Sequence, residues 1–475
     1  MNLDPESCYR ALVTHDARFD GMFFVGVSST KIYCRTVCTA KTPREENCSF
    51  YPSAAAAEKA GFRPCLRCRP ELAPGNARVD AIGRLAAAAA SRIEDGALTD
   101  KRIEELANEL GVSDRHLRRT IQNEFGVTPV ELAQTQRLLL AKRLLNDTEL
   151  SIVDVAFASG FSSLRRFNSL FKERYRLSPS EMRKGQITAP LQDTLVCEVG
   201  YRPPLDWNSM LKFLAKRAVQ GVEMVDGDRY LRTMALGRHR GYLSVRPSMH
   251  KSALSVELSA SLAQVLSPAL ARTKRLFDLD AEPKQISSHL GPLAAAHPGL
   301  RMPGAFDGFE TAVRAVLGQQ VSVKAAATLG GRFVKAFGET IETPFGQLTH
   351  ITPAPGRIVD AKLRELTSLG ITVARAKSIL ALAEAVVNRK LVLDPGRDVQ
   401  QTMAQLRELP GIGEWTAQYI AMRALSWPDA FPHTDLGIRK ALGENDTKRI
   451  LQIAQGWRPW RAYAVMHLWK SLEAQ

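Results

Sequence analysis

Long apolar runs are missing from this chain of 475 residues, so nothing in it reaches the length of a membrane-spanning helix and no membrane partner is expected. Cysteine is scarce: there are seven, an odd number, which argues against a disulfide framework and for a reducing interior. The opening stretch MNLDPESCYR is acidic and polar and lacks a secretory pattern, so a cytoplasmic protein is expected. Acidic residues fall short of basic ones, 49 against 64, leaving a net charge of +15 and a pI near 9.6. The shortfall is spread along the chain. Residues 1–190 hold 28 Lys and Arg against 23 Asp and Glu, and residues 191–475 hold 36 against 26. An excess in both halves favours a nucleic-acid partner over a single basic tail. A hydrophobic content of 45% with 7% aromatics describes a well-cored chain, long enough for about three domains.

Four of the cysteines form two pairs. Three residues separate Cys34 from Cys38, two separate Cys65 from Cys68, and 26 lie between the pairs. Such spacing sets four thiolates around Zn²⁺, each pair on its own turn. Arg35, Lys41, Arg44, Arg63, Arg67 and Arg69 crowd these positions. A zinc held by four thiolates is net negative and needs some cations nearby; six exceed that need, and the surplus is expected to face an anion such as DNA phosphate. On spacing alone, an inert structural clip is the open alternative. Cys8, Cys48 and Cys197 form no pattern, and Cys197 reads as a small apolar strand residue.

Proline and glycine divide the rest. The cysteine segment, 1–78, ends at Pro70 and Pro74–Gly75; an Ala- and Arg-rich helical segment fills 79–186; Pro190 and Pro203–Pro204 open the third part. The helical segment repeats itself. Ile103, Leu106, Ala107 and Gly111 recur as Ile152, Val155, Ala156 and Gly160, and Leu117, Phe125 and Pro129 as Phe167, Tyr175 and Pro179. Each copy reads as helix, glycine turn, helix, then a capping box with proline at the first helical position, Thr128–Glu131 and Ser178–Glu181. Small Ala107 and Ala156 suit a close helix crossing, and Gly111 and Gly160 a left-handed turn. The second helices expose Arg115, His116, Arg118 and Arg119 in one copy and Arg165, Arg166 and Asn168 in the other, which makes them DNA-reading candidates. This doubled helix-turn-helix resembles the AraC-type regulator domain.

The stretches KIYCRTVCTAKTPREENCSFY and GFRPCLRCRP resemble the N-terminal domain of Ada-type adaptive-response regulators. The resemblance implies that Cys34 accepts a methyl group from DNA phosphotriesters while Cys38, Cys65 and Cys68 complete the zinc site. The Pro-Cys-His-Arg motif of a second methyl acceptor is absent, so repair of O6-methylguanine is not expected.

In the third part, residues 192–280 alternate like strands around a helix near Trp207–Val219, and from Phe306 the pattern is helical. Leu409-Pro-Gly-Ile-Gly413 reads as a tight hairpin between helices, with Gly411 and Gly413 offering backbone amides to a phosphate. Asp435 follows at the distance found in helix-hairpin-helix DNA glycosylases. The stretches YRPPLDWNSMLKFLAKRAV, HPGLRMPGAFDGFETAVRAVLGQQVSV, LPGIGEWTAQYIAMRA and WRPWRAYAVMHLWK resemble AlkA-type 3-methyladenine DNA glycosylases II. That resemblance implies a catalytic Asp435, a base pocket of Trp415, Tyr419 and Trp469, and Gln320, beside Gln319, in the gap left by a flipped base. Trp415 stands where lyase relatives carry a Schiff-base lysine, so hydrolysis without strand cleavage is expected, and the lack of cysteines after Cys197 excludes an iron–sulfur cluster. His433 reads as a loop or helix-start residue.

The expected architecture is therefore multidomain α+β: a small zinc-bound α/β domain (1–78), an all-α double helix-turn-helix domain (79–186), and a glycosylase with an α+β subdomain (187–300) and an all-α helix-hairpin-helix core (301–475). The resemblances imply double-stranded DNA, alkylated and promoter, as partner, RNA polymerase as the contact for activation, and a monomer. Two rivals stay open: a regulator whose C-terminal part binds DNA without catalysis, and a glycosylase for other damaged bases.

Overall fold

A computed structural model describes residues 4–74, 81–148, 150–183, 193–395 and 398–473. The expected boundaries at 78/79 and 186/187 lie outside them. The chain forms two compact units, one of Met1–Pro203, Pro247–Ala271 and Leu279–Ala281, the other of Pro204–Arg246, Arg272–Asp278 and Glu282–Gln475. No helix among the described residues is long and apolar enough to cross a membrane.

The first unit opens with a helix, Pro5–Val13, capped by the Asp4 carboxylate. A four-stranded sheet follows, in the order Cys48–Tyr51, Phe24–Val27, Ile32–Cys34, Arg63–Pro64. Its last pairing is parallel, with Ile32 opposite Arg63 and Tyr33 opposite Pro64, so Cys34 and Cys65 leave adjacent strands side by side. The helical segment carries the expected repeat. The short helices Ile103–Glu109 and Ile152–Ala158 bury Leu106, Ala107, Val155 and Ala156 against Leu117 and Phe167 of the following helices. Gly111 and Gly160 take positive φ, and both capping boxes form. Rings of Phe161, Phe167, Phe171 and Tyr175 run along the second copy.

Two buried polar clusters tie the sheet to the long helix Pro129–Asp147. Lys142 Nζ meets Glu71 Oε2 at 2.6 Å with both side chains buried, while Arg69 bridges Glu71 at 3.0 Å and Asp147 at 2.6 Å. Burial raises the Glu71 carboxyl, and the cations outweigh it and hold it below its ordinary range. Deleting one partner of such a pair leaves a bare buried charge, which costs about 3–5 kcal/mol. In the second cluster Glu58 accepts from Tyr33 Oη at 3.0 Å and from Thr135 Oγ1 at 2.9 Å. The strand Thr194–Gly200 pairs antiparallel with Ala253–Ser259, placing Cys197 opposite Val256. Burial pushes the Cys197 thiol up to about 12, as suits an inert strand residue.

The second unit begins with a helix, Trp207–Ala215, and an antiparallel meander of Glu223–Asp226, Arg229–Leu236 and His239–Pro247. Helices then build the rest around Gly308–Leu317, whose apolar residues sit at the centre of the core. Between meander and helices lies a buried lattice of charge: Arg232 with Glu310 at 2.8 Å, and Arg314 with Glu223 and Glu310 at 2.6 Å each. Burial alone would raise Glu310; the two arginines lower it to about 2.

Glu58 yields a pH test. Burial pushes its carboxyl up to about 7, against the hydrogen bonds that pull it down. The folded chain then keeps a proton that the unfolded chain releases above about 4.5, so this stabilisation is complete below that pH and lost as pH rises through 7. Glu58→Gln, neutral throughout, should lose less thermal stability than the parent between about pH 5 and 8, by on the order of 2–3 kcal/mol. Melting profiles that run parallel would refute this.

Candidate active sites

In the first unit, the four sulfurs of Cys34, Cys38, Cys65 and Cys68 lie within 4.8 Å of one another. Tetrahedral zinc–thiolate geometry needs sulfurs about 3.8 Å apart, so the cluster fits a metal ion of that class. The turn after Cys34 is closed by Cys38 N–H on the Arg35 carbonyl, and Cys65 N–H donates to the Tyr33 carbonyl. One backbone donor also reaches the sulfurs, Arg35 N–H to Cys68 at 3.4 Å. Cys38 and Cys65 are buried; Cys34 and Cys68 are partly open. Cys34 thus combines partial access with a place at the end of the strand Ile32–Cys34. Hydrogen bonds from the other three thiols, with burial, push the Cys34 thiol up when no ion is bound.

The surrounding cations divide. Lys41, Arg44 and Arg67 are exposed. Arg35, expected among the DNA contacts, is not free for one: its side chain is 13% exposed, ion-paired with Asp20 and donating to the Cys68 carbonyl at 3.2 Å. Arg69 is likewise held by Glu71 and Asp147. The surplus of positive charge near the sulfurs is smaller than the count of six implied, because burial drives two arginines to internal carboxylates. On the helices Asp114–Phe125 and Leu164–Tyr175, Arg115, Arg118, Arg119, Arg165 and Arg166 are all exposed, and Arg118 has only long contacts to Glu104 and Asp114.

In the second unit, Asp435, Trp415, Tyr419 and Trp469 line one cleft of about 390 Å³. Asp435 caps the helix Leu436–Leu442, its Oδ1 accepting from Gly437 N at 2.8 Å and Ile438 N at 3.1 Å. The same carboxylate accepts from both indoles, Trp469 Nε1 at 2.9 Å and Trp415 Nε1 at 2.8 Å. Four donors leave it a single orientation, toward the cleft. A Cβ at Gly437 would stand 2.9 Å from the Trp469 ring, so only glycine admits that indole. Trp415 and Tyr419, one turn apart on Glu414–Arg423, stack at 5.3 Å and 17°. Burial would raise the Tyr419 phenol, but Arg423 and Arg217 outweigh it and hold it below its ordinary value.

The hairpin is as expected. The helix Val399–Glu408 ends before it, Gly411 turns at φ +75°, and Gly413 starts the helix Glu414–Arg423 with no side-chain cap. Gln319 Nε2 donates to the Gly411 carbonyl at 2.9 Å and to Thr416 Oγ1 at 3.0 Å, so it braces the hairpin. Gln320 stands exposed beside it at φ +53°, a costly conformation for a residue with a side chain.

Comparison with known proteins matches four family models: the metal binding domain of Ada over residues 7–71, a helix-turn-helix domain over 106–185, the AlkA N-terminal domain over 196–307, and the HhH-GPD superfamily base excision DNA repair protein over 313–448. A Mycobacterium tuberculosis protein described as "probable bifunctional transcriptional activator/DNA repair enzyme AlkA" is 39% identical over all of this chain and 97% of its own length. The chain belongs to that family of bifunctional activator and repair proteins. DNA-3-methyladenine glycosylase 2 of Escherichia coli is 40% identical over 57% of the chain and 95% of its own length. The solved structure of MBOgg1 in complex with a low-affinity DNA ligand, 17% identical, covers 60% of the chain and 98% of its own with a TM-score of 0.50, and shares the fold.

Within this family frame, two cleft residues escaped sequence reasoning, Arg217 and Arg423. Both lie over the ring of Phe213, which stacks near Trp469 at 6.4 Å and 18°. Both sit in stretches that carried the resemblance, but an arginine gives no signal in sequence that it turns inward. The hairpin glycines give a paired test. A Cβ at Gly411 would meet Ser378 Oγ at 2.4 Å in a left-handed turn, whereas one at Gly413 would meet nothing. Gly411→Ala should cost about 1–3 kcal/mol in denaturant unfolding, and Gly413→Ala less than about 0.5. Equal losses would contradict this account of the hairpin.

Proposed function

We propose that the chain answers DNA alkylation with two chemistries and a promoter-reading module, divided as 1–78, 79–186, 187–300 and 301–475. The reading is carried above all by the Asp435 carboxylate, held by two indole N–H groups at an aromatic cleft. An alkylated purine flipped out of duplex DNA would enter that cleft and stack on Trp415, Tyr419 and Trp469. Methylation at N3 or N7 makes the ring cationic and weakens its bond to the sugar. As that bond breaks, the anomeric carbon turns positive, and the fixed Asp435 carboxylate stabilises it; water then adds to complete hydrolysis. Trp415 offers no amine for a Schiff base, in keeping with release of 3-methyladenine without strand cleavage. Gly411, Gly413 and the start of the helix Glu414–Arg423 would hold a DNA phosphate, with Gln320 filling the gap in the duplex.

At the other end, the four cysteines would hold zinc, which keeps coordinating thiols deprotonated at neutral pH. Cys34, partly open and at the position of the methyl acceptor that the family resemblance implies, is the nucleophile in this reading; a backbone amide donates to the sulfur of its neighbour Cys68. Its sulfur bonds to the methyl carbon of a phosphotriester as the methyl–oxygen bond breaks, and the phosphate returns to the backbone as an ordinary anion. The thioether is stable, so each molecule acts once. Lys41, Arg44 and Arg67 would draw in the DNA, and Arg115, Arg118, Arg119, Arg165 and Arg166 would reach base edges and phosphates of the promoter, where RNA polymerase is recruited.

Incubation of the full chain with methylated DNA tests both ends. Asp435→Asn should lower release of free 3-methyladenine by about 100-fold or more while leaving methyl uptake intact. Cys34→Ser should do the reverse, with the methyl label, followed by peptide mass, absent from that position. Undiminished base release from Asp435→Asn, or full methyl uptake by Cys34→Ser, would overturn the corresponding half.

A further inference from the structure

Four arginines line the cleft, and they differ in what they are committed to: Arg232 and Arg314 are paired with Glu223 and Glu310. Arg423 is buried and spent: it donates to the carbonyls of Pro303 and Gly304 and, at 2.9 Å, to Tyr419 Oη. Arg217 is not. Its guanidinium carbon lies 3.7 Å from the centroid of the Phe213 ring and 6.0 Å from that of Trp469. Its hydrogen-bond partner is the Phe213 carbonyl, at 3.3 Å. Among the described residues no carboxylate stands within ion-pair distance of it. A guanidinium has five N–H donors, so most of those on Arg217 remain for whatever enters. Burial, opposed by Tyr419 and Glu473 and reinforced by Arg423, pulls its pKa down.

The chemistry of base release gives that cation a consequence. An N3- or N7-alkylated purine carries positive charge before the bond breaks and leaves neutral. It needs no donor, and a second cation in the pocket repels it. A damaged base that is neutral in DNA leaves with negative charge building on its ring nitrogens and carbonyl oxygen, and this leaving group needs an N–H donor aimed at it. Granting the glycosylase reading, we infer that Arg217 is a specificity-determining residue of the cleft: its unspent N–H donors stabilise the departing ring of neutral, acceptor-bearing damaged bases, and its charge lowers the preference for cationic ones. Trp415, Tyr419 and Trp469 supply stacking to both classes without distinguishing them.

The experiment uses the full chain and two duplexes, one with a single hypoxanthine, neutral with a carbonyl acceptor, and one with a single 7-methylguanine, cationic. Single-turnover release rates are compared for the parent, Arg217→Met and Arg217→Lys. Methionine keeps an apolar stem against Phe213 and removes donors and charge; lysine keeps charge and loses the planar fork. Arg217→Met should lower hypoxanthine release by about tenfold or more while 7-methylguanine release holds or rises. Arg217→Lys should fall between parent and Met for hypoxanthine and match the parent for 7-methylguanine. A variant that merely folds poorly slows both duplexes alike, and the Lys variant then decides. An unchanged ratio of the two rates in both variants, or a parent that releases 7-methylguanine but no hypoxanthine, overturns the role of Arg217 and leaves the glycosylase reading standing. A parent that releases neither overturns both.

Discussion

The carboxylate at the centre of the aromatic cleft is held in position by neutral N–H donors. The Asp435 carboxylate takes two backbone amides and two indoles, and among the clustered sulfurs that of Cys68 takes the Arg35 amide. A dipolar donor orients an anion without cancelling its charge, whereas an ion pair would neutralise it. Asp435 therefore keeps its negative charge aimed at one open direction. Neighbouring residues serve that condition: Gly437 has no side chain, so the Trp469 indole can reach the carboxylate. In the first unit a parallel strand pair sets Cys34 beside Cys65.

Positive charge is sorted by the same physics in the opposite sense. A basic chain suggests a basic surface, yet many of its arginines are structural. Arg35, Arg69, Arg232 and Arg314 are bound to internal carboxylates, and Arg423 to carbonyls. Buried ions survive only when paired or fully hydrogen-bonded, so each of these leaves the pool available to DNA. What remains exposed includes Lys41, Arg44 and Arg67 near the sulfurs, the arginines on the second helices of the repeat, and Lys324, Arg364, Lys377 and Lys390 in the second unit. Arg217 is the exception, half-buried with donors to spare.

Features that depend on a few neighbouring residues were legible without coordinates. Cysteine spacing places four sulfurs together because each pair closes a short turn. The repeat with its boxes Thr128–Glu131 and Ser178–Glu181 forms as expected because a cap is satisfied within four residues. The hairpin Leu409–Gly413 and the inert Cys197 are of the same kind. Family resemblance supplied Asp435, Trp415, Tyr419 and Trp469 as residues of one cleft, but as an aromatic lining; that both indoles also hold the carboxylate was not visible. Nor was the loss of Arg35 to Asp20, fifteen residues earlier in the chain and across a fold.

By itself, then, the order of residues determined the secondary elements, the sulfur cluster and the chemical classes at each end, since propensity, capping and ligand spacing act over one or two turns. Tertiary structure alone decided which charges are free. An arginine reads the same in sequence whether it meets a carboxylate, a carbonyl or an open cleft, and desolvation assigns those fates only once distant segments close around it.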